Sequence, residues 1–270
     1  MKTLELFLSQ IDNKNTKRSY NTDLKQMFYY IKKPSEQLTR IDLLNYQINF
    51  LKKQNYSSAT IDRKIRSINS FVAFLNDNQI NTNVCALKSV KVKNKEKEVL
   101  GFDNSKKLIQ IATNPRDKAI LAVFLSTGLR ANEVINLKLQ DFLSGQDIII
   151  YGKGDKKNII RFSPQTRKYI EEYLKVRLNS KKYDNLFISN QGTPMNASVM
   201  NKTWKKLCER LGTDKQITNH SFRHDVITKV ADEYGVHMAQ QVANHSSIKT
   251  TMLYVDKNRE QTLNIMGSLL

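Results

Sequence analysis

At 270 residues the chain is long enough for one large or two modest domains, and its 40% hydrophobic and 26% charged residues with only 9 Gly and 4 Pro exclude a linker, a collagen or a disordered polypeptide. Its 44 Lys and Arg against 25 Asp and Glu leave a net charge of +19, a balance that favours polyanionic partners, nucleic acid first. Two cysteines, Cys85 and Cys208, lack the CxxC or HxxxH spacing of a zinc site or a disulfide framework and read as reduced thiols, and no metal or cofactor is called for. The longest apolar run, Ala119 to Leu125, is far short of the ~20 residues of a membrane span, so no membrane partner is expected and the location is cytoplasmic.

The opening segment MKTLELFLSQ meets Glu5 before a signal-peptide core could form and reads as the first helix. Two strong amphipathic helices follow. One carries Tyr20, Leu24, Met27, Phe28 and Ile31 on a face, the other Ile61, Ile65, Ile68, Phe71, Val72 and Leu75. In the second, Arg63, Lys64 and Arg66 fall off the apolar stripe, and Ser57, Ser58 and Thr60 precede it as candidate caps and phosphate donors. Such a basic face is either solvated or a contact with DNA, and the local pattern fits both. Residues 1–97 hold 18 basic and 8 acidic residues, net +10, leaving 26 and 17, net +9, for residues 98–270. Between them the alternating Lys residues of 88–98 have no apolar period and predict an extended linker, placing domains at 1–87 and 99–270.

Beyond the linker, Ser105–Ala112, Arg116–Ser126 and Asn132–Leu139 are predicted helices, the last two separated by the turn Thr127-Gly-Leu-Arg130. The runs Asp147–Tyr151 and Asn158–Phe162 are β-prone and flank Gly152-Lys153-Gly154, a hairpin signal. Helical patterning resumes over Pro164–Leu178, Ala197–Leu211 and from Ser221 onward, broken near Gly235 and Asn244. The fold class is therefore mainly α with one small β-hairpin.

Four clusters in this second domain carry chemistry. The i, i+3 spacing of His220 and Arg223 puts both on one helical face, where they can present donors to a single phosphate, although a surface ion pair would use the same spacing. Arg130 opens a helix, where the dipole disfavours a cation unless an anion is bound, and Glu133 one turn on can hold its guanidinium. Lys153 at a hairpin tip is either solvated or lowered toward a phosphate. Tyr254, nine residues after Ala243-Asn-His245, is one of 11 tyrosines and taken alone is a core residue.

Taken in order, TGLRANEV (127–134), GKGDKKNIIRF (152–162), HSFRH (220–224) and ANHSSIKTTMLY (243–254) resemble the tyrosine recombinase, or phage integrase, family over the whole carboxyl-terminal domain. The segments TKRSYNTDLKQMFYYI (16–31) and SSATIDRKIRSINSFVAFL (57–75) resemble that family's helical, SAM-like core-binding domain. The resemblance implies a C-shaped clamp on duplex DNA and site-specific strand exchange through a 3′-phosphotyrosyl intermediate, without metal or ATP. It makes Tyr254 the nucleophile, Arg130 and Arg223 the phosphate clamp, His220 and His245 the source of further hydrogen bonds or proton handling, Lys153 the general acid and Glu133 a support. Asn244 stands where glycine is usual and Phe222 where leucine is, and neither change removes a reactive group; asparagine tolerates positive φ well enough to keep the turn.

The apolar tail 257–270, with Leu263, Ile265, Met266, Leu269 and Leu270, either packs within its own chain or docks on a neighbouring protomer. The resemblance favours the second, giving four protomers on two inverted-repeat sites, with accessory DNA-bending proteins as further partners. The core-binding likeness starts close to Met1, so no arm-binding domain is expected ahead of it. Two rival readings share parts of this picture: a type IB topoisomerase-like relaxing enzyme, and a DNA-binding protein without cleavage.

Overall fold

The computed structural model describes residues 2–92, 99–145, 147–151, 157–180, 182–215, 217–244, 248 and 251–252. Two compact units divide the chain at Glu96 and Lys97. The linker expected over 88–98 falls mostly outside the described residues, and its first five positions, 88–92, have no regular secondary structure.

The amino-terminal unit consists of α1 (Lys2–Ser9), α2 (Lys14–Ile31), α3 (Arg40–Asn45), which runs on as a π-helical stretch Tyr46–Leu51, and α4 (Ser58–Asp77). Side-chain caps set the helix starts. Asn13 Oδ1 accepts from the backbone N–H of Asn15 and Thr16 at α2, Thr39 and Asp42 form a reciprocal capping box at α3, and Ser57 accepts from Thr60 N–H at α4. Leu24 and Met27 of α2 meet Ile65, Ile68, Phe71 and Leu75 of α4, all buried, and Phe7 of α1 packs edge-on against Phe71 with centroids 5.2 Å apart.

The carboxyl-terminal unit is built around α6 (Pro115–Thr127), whose residues Ala119–Leu125 are all buried. A helix apolar on every side belongs at the centre of a bundle. It is surrounded by α5 (Phe102–Ile111), α7 (Ala131–Asn136), α9 (Pro164–Leu174) and α11 (Asn219–Tyr234); α8 (Leu139–Ser144), α10 (Ala197–Arg210) and α12 (Val236–Val242) complete the described helices. The strands β1 (Asp147–Tyr151) and β2 (Lys157–Arg161) pair antiparallel with Asp147 opposite Arg161 and Ile149 opposite Ile159. Ile148, Ile150 and Ile160 face the core, and the Arg161 guanidinium grips the Asp147 carboxylate at 2.6 and 3.0 Å across the outer face. Helix α9 stops at Leu174, short of the predicted Leu178. Phe222 is fully buried between Phe124 and Trp204, with centroids 5.7 and 5.6 Å away. Among the described residues no helix is long and apolar enough to cross a membrane.

Candidate active site

The turn between α6 and α7 places Arg130. Gly128 closes α6 in the left-handed region at φ +62°, donating its N–H to Phe124 O at 2.8 Å, and a Cβ there would come within 3.1 Å of Val226 Cγ1. Leu129 is buried, so the next residue is turned outward, and the Arg130 side chain is 40% exposed. Glu133 holds it at two points: Oε2 accepts from the Arg130 backbone N–H at 2.7 Å and Oε1 from its guanidinium at 2.9 Å. One carboxylate thus caps α7 and orients the arginine.

Helix α11 carries His220 and Arg223. Its start is fixed by Asn219, which receives the Trp204 indole N–H at 2.6 Å, donates its amide to Ala197 O at 3.0 Å and its backbone N–H to Asn201 Oδ1 at 2.8 Å. His220 projects at the surface in the first turn, immediately after this anchor. Arg223 is 2% exposed, and its guanidinium donates to Gly128 O at 2.7 Å and to Ala243 O. One planar donor group therefore ties the turn before Arg130 to the turn after α12. In that second turn Asn244 adopts φ +46°, the left-handed conformation expected where asparagine replaces glycine. The structure thus brings Arg130, Glu133, Arg223 and His220 onto adjoining parts of one scaffold. Lys153, His245, Tyr254 and the tail 257–270 lie outside the described residues.

Among the basic residues of α4, one departs from the sequence expectation. Lys64 does not stand on an open face: it is 5% exposed, with its ammonium on Asp23 Oδ1 at 3.0 Å and Gln26 Oε1 at 2.7 Å. Asp23, 1% exposed, also receives the Arg63 guanidinium and lies 3.4 Å from the Ser67 hydroxyl. A carboxylate inside the apolar stripe of α2 needs a cation beside it, and Lys64 meets that need at the expense of surface access. Arg63 keeps a half-exposed side chain, while Arg66 is largely exposed beside Asp62 at 2.7 Å. Ser57 is a helix cap, its hydroxyl 2.9 Å from that of Thr60, and Ser58 is the first residue of α4.

Sequence reasoning passed over Asp225. It is buried on α11, and its signal was present: a carboxylate between Phe222, Val226 and Ile227 in a helix buried on most of its circumference. Burial pushes its carboxyl above the ordinary aspartate range, against hydrogen bonds from Ser105 and Gly101 and the charge of Lys215.

Residues 98–261 match the model of the phage integrase family, and residues 4–79 match that of the phage integrase N-terminal SAM-like domain. The tyrosine recombinase XerD of Oceanobacillus iheyensis is 30% identical over 259 residues, covering 89% of this chain and 86% of that protein. The tyrosine recombinase XerC of Thermodesulfovibrio yellowstonii is 28% identical, covering 92% and 87%. Among solved structures, XerH recombinase bound to a palindromic difH substrate superposes with a TM-score of 0.72 at 19% identity, covering 94% of this chain and 79% of that one. A lambda integrase dimer bound to a COC′ core site gives 0.76 at 13% identity, covering 96% and 94%. With both family models matched in order over the two units, the chain belongs to the phage integrase family, the tyrosine recombinases.

Proposed function

We propose that this protein is a site-specific DNA recombinase that cleaves and rejoins DNA strands through a 3′-phosphotyrosyl intermediate. The observation that carries the reading is the Arg223 guanidinium, buried and 2.7 Å from the carbonyl of Gly128, two residues before Arg130. That contact brings the segments of two arginines together at one place, with Glu133 orienting the first. Two guanidiniums beside one phosphodiester can hydrogen-bond its non-bridging oxygens and stabilise the charge that builds in phosphoryl transfer.

In this reading the Tyr254 hydroxyl attacks the scissile phosphorus, forming the phosphotyrosyl bond as the bond to the 5′ oxygen breaks. Lys153 protonates the departing oxygen, leaving a 5′-hydroxyl, while His220 and His245 hydrogen-bond the phosphate and take up the proton that the Tyr254 hydroxyl gives up. A 5′-hydroxyl from a second strand then attacks the phosphotyrosyl bond and releases the tyrosine. Phosphodiester energy is kept in the intermediate, so resealing needs no nucleotide. The partner is duplex DNA with an inverted-repeat core, on which protomers assemble, four at a synapse with the tail 257–270 docked in trans. Such a DNA-bound enzyme acts in the cytoplasm. The likeness to recombinases solved on palindromic or core DNA, one of them as a dimer, supports the DNA partner and self-association.

The test is recovery of covalent protein–DNA adducts from host cells under denaturing conditions, with sequencing of the peptide and its DNA. A phosphotyrosyl peptide containing Tyr254 on DNA from one inverted-repeat site is expected, and Tyr254→Phe should abolish it while leaving DNA affinity unchanged. Adducts scattered over many DNA ends would indicate a relaxing topoisomerase instead. Site-selective binding with no adduct would indicate a binding protein.

A further inference from the structure

Asp225 takes no part in the chemistry above, yet it is 4% exposed in the helix that carries His220 and Arg223. A buried carboxylate is costly unless its oxygens are hydrogen-bonded. Oδ2 accepts from the fully buried Ser105 hydroxyl at 2.5 Å, and Oδ1 accepts from the backbone N–H of Gly101 at 3.2 Å. Gly101 is the residue before α5 and has no side chain with which to cap it, so Asp225 places a carboxylate beside this helix start from a helix 120 residues on. Lys215, in the loop leading to α11, donates to Val99 O at 2.8 Å. The first described residues of the second unit are therefore held to α11 and its approach at Gly101, Ser105 and Val99.

The geometry of a helix gives this arrangement a consequence. Residues 223 and 225 are two positions apart, about 200° around the axis at 3.6 residues per turn. Arg223 reaches Gly128 and Ala243 on one face while Asp225 reaches α5 on the opposite face. Polar ties on opposite faces fix rotation about the axis, which apolar packing alone leaves soft because it lacks direction. We propose that Asp225 is a positioning residue for strand transfer: through Ser105 and Gly101 it sets the rotation of α11, and with it the placement of Arg223 and His220, from the point where the chain enters the second unit. This inference rests on the phosphate-binding role of Arg223.

Three variants test it. Ser105→Ala removes one tie, Asp225→Ala removes both, and Asp225→Asn keeps both, since an amide can accept from Gly101 N–H and donate to the Ser105 hydroxyl. On a duplex carrying the site recovered by adduct capture, adduct formation should slow about tenfold in Ser105→Ala and about 100-fold in Asp225→Ala, because small misplacements of a phosphate ligand cost that much. Asp225→Asn should stay within about threefold of the parent, and all three should bind the duplex within about twofold of it, since none removes a phosphate contact. A slowing that survives at temperatures well below each variant's unfolding transition, with affinity intact, is not the effect of lost stability. Adduct rates within twofold of the parent in Ser105→Ala and Asp225→Ala would overturn the inference, as would an Asp225→Asn variant as slow as Asp225→Ala. If Asp225→Ala does not fold, Ser105→Ala and Asp225→Asn decide by the same contrast. Amide hydrogen exchange of the free protein separates this outcome from failure of the functional reading. Ser105→Ala should speed exchange in peptides spanning 219–228 as well as 99–105. Unchanged exchange over 219–228 would overturn the tie even if no variant and no parent forms an adduct.

Discussion

At the scale of single residues, Arg223, proposed to bind the phosphate, is also a structural tie. Arg223 bridges two carbonyls with one planar fork, which a lysine cannot do. Arg223→Lys should therefore lower adduct formation about 100-fold or more, as loss of an oriented transition-state donor does; the check is single-turnover cleavage at saturating protein. Asp225 gives a pH signature. Its carboxyl is held above its unfolded value of 3.8, chiefly by burial. Such a group binds more protons in the folded state, so its stabilising contribution is full below pH 3.8 and is lost as pH rises through the folded pKa. Asp225→Asn should remove that decline, so the gap in melting temperature between variant and parent widens in the variant's favour from pH 3.5 upward into the neutral range. In the amino-terminal unit, Lys64→Ala leaves Asp23 buried with one cation fewer and should cost about 3 kcal/mol in urea unfolding, while leaving the salt slope of DNA binding unchanged. An exposed phosphate-binding lysine would behave the opposite way.

At the scale of elements, turns decide where functional side chains point. Gly128 combines φ +62° with a Cβ position 3.1 Å from Val226, so Gly128→Ala strains the backbone and pushes on α11 at once. It should destabilise by about 1–2 kcal/mol, measured by denaturant unfolding, and slow cleavage beyond that loss because Arg130 follows two residues later. The helix pattern around this turn was readable in the sequence. Arg116–Ser126 was readable as a helix because Gly128 can close one behind it, and the runs 147–151 and 158–162 as a hairpin because β-prone residues flank a glycine pair. The stretch Tyr46–Leu51 gave no such signal, since its five-residue hydrogen-bond step does not follow the 3.6-residue period.

At the scale of the molecule, the net charge of +19 is spread over both units, net +9 for residues 1–96 and +10 for residues 97–270, and each unit has its own apolar core. A protein that binds DNA through its phosphates releases counterions as it binds. With about six phosphate contacts, affinity should fall on the order of a thousandfold between 50 and 200 mM salt, as read by fluorescence anisotropy of a labelled duplex. Affinity independent of salt would contradict a phosphate-dominated interface.

The sequence by itself determined the hairpin and most helices of the carboxyl-terminal unit and the order of the motifs, because these depend on local pattern and on side-chain chemistry; helix α8 was not among them. Even the positive φ of Asn244 followed from what asparagine tolerates. Only the tertiary structure decided that Lys64 is buried, that Arg223 joins two turns, and that Asp225 anchors the entry of the second unit. Those facts depend on partners 41, 95 and 120 residues away. Side-chain period records which face of an element is apolar; which polar group from elsewhere lies against that face is set by how the helices pack.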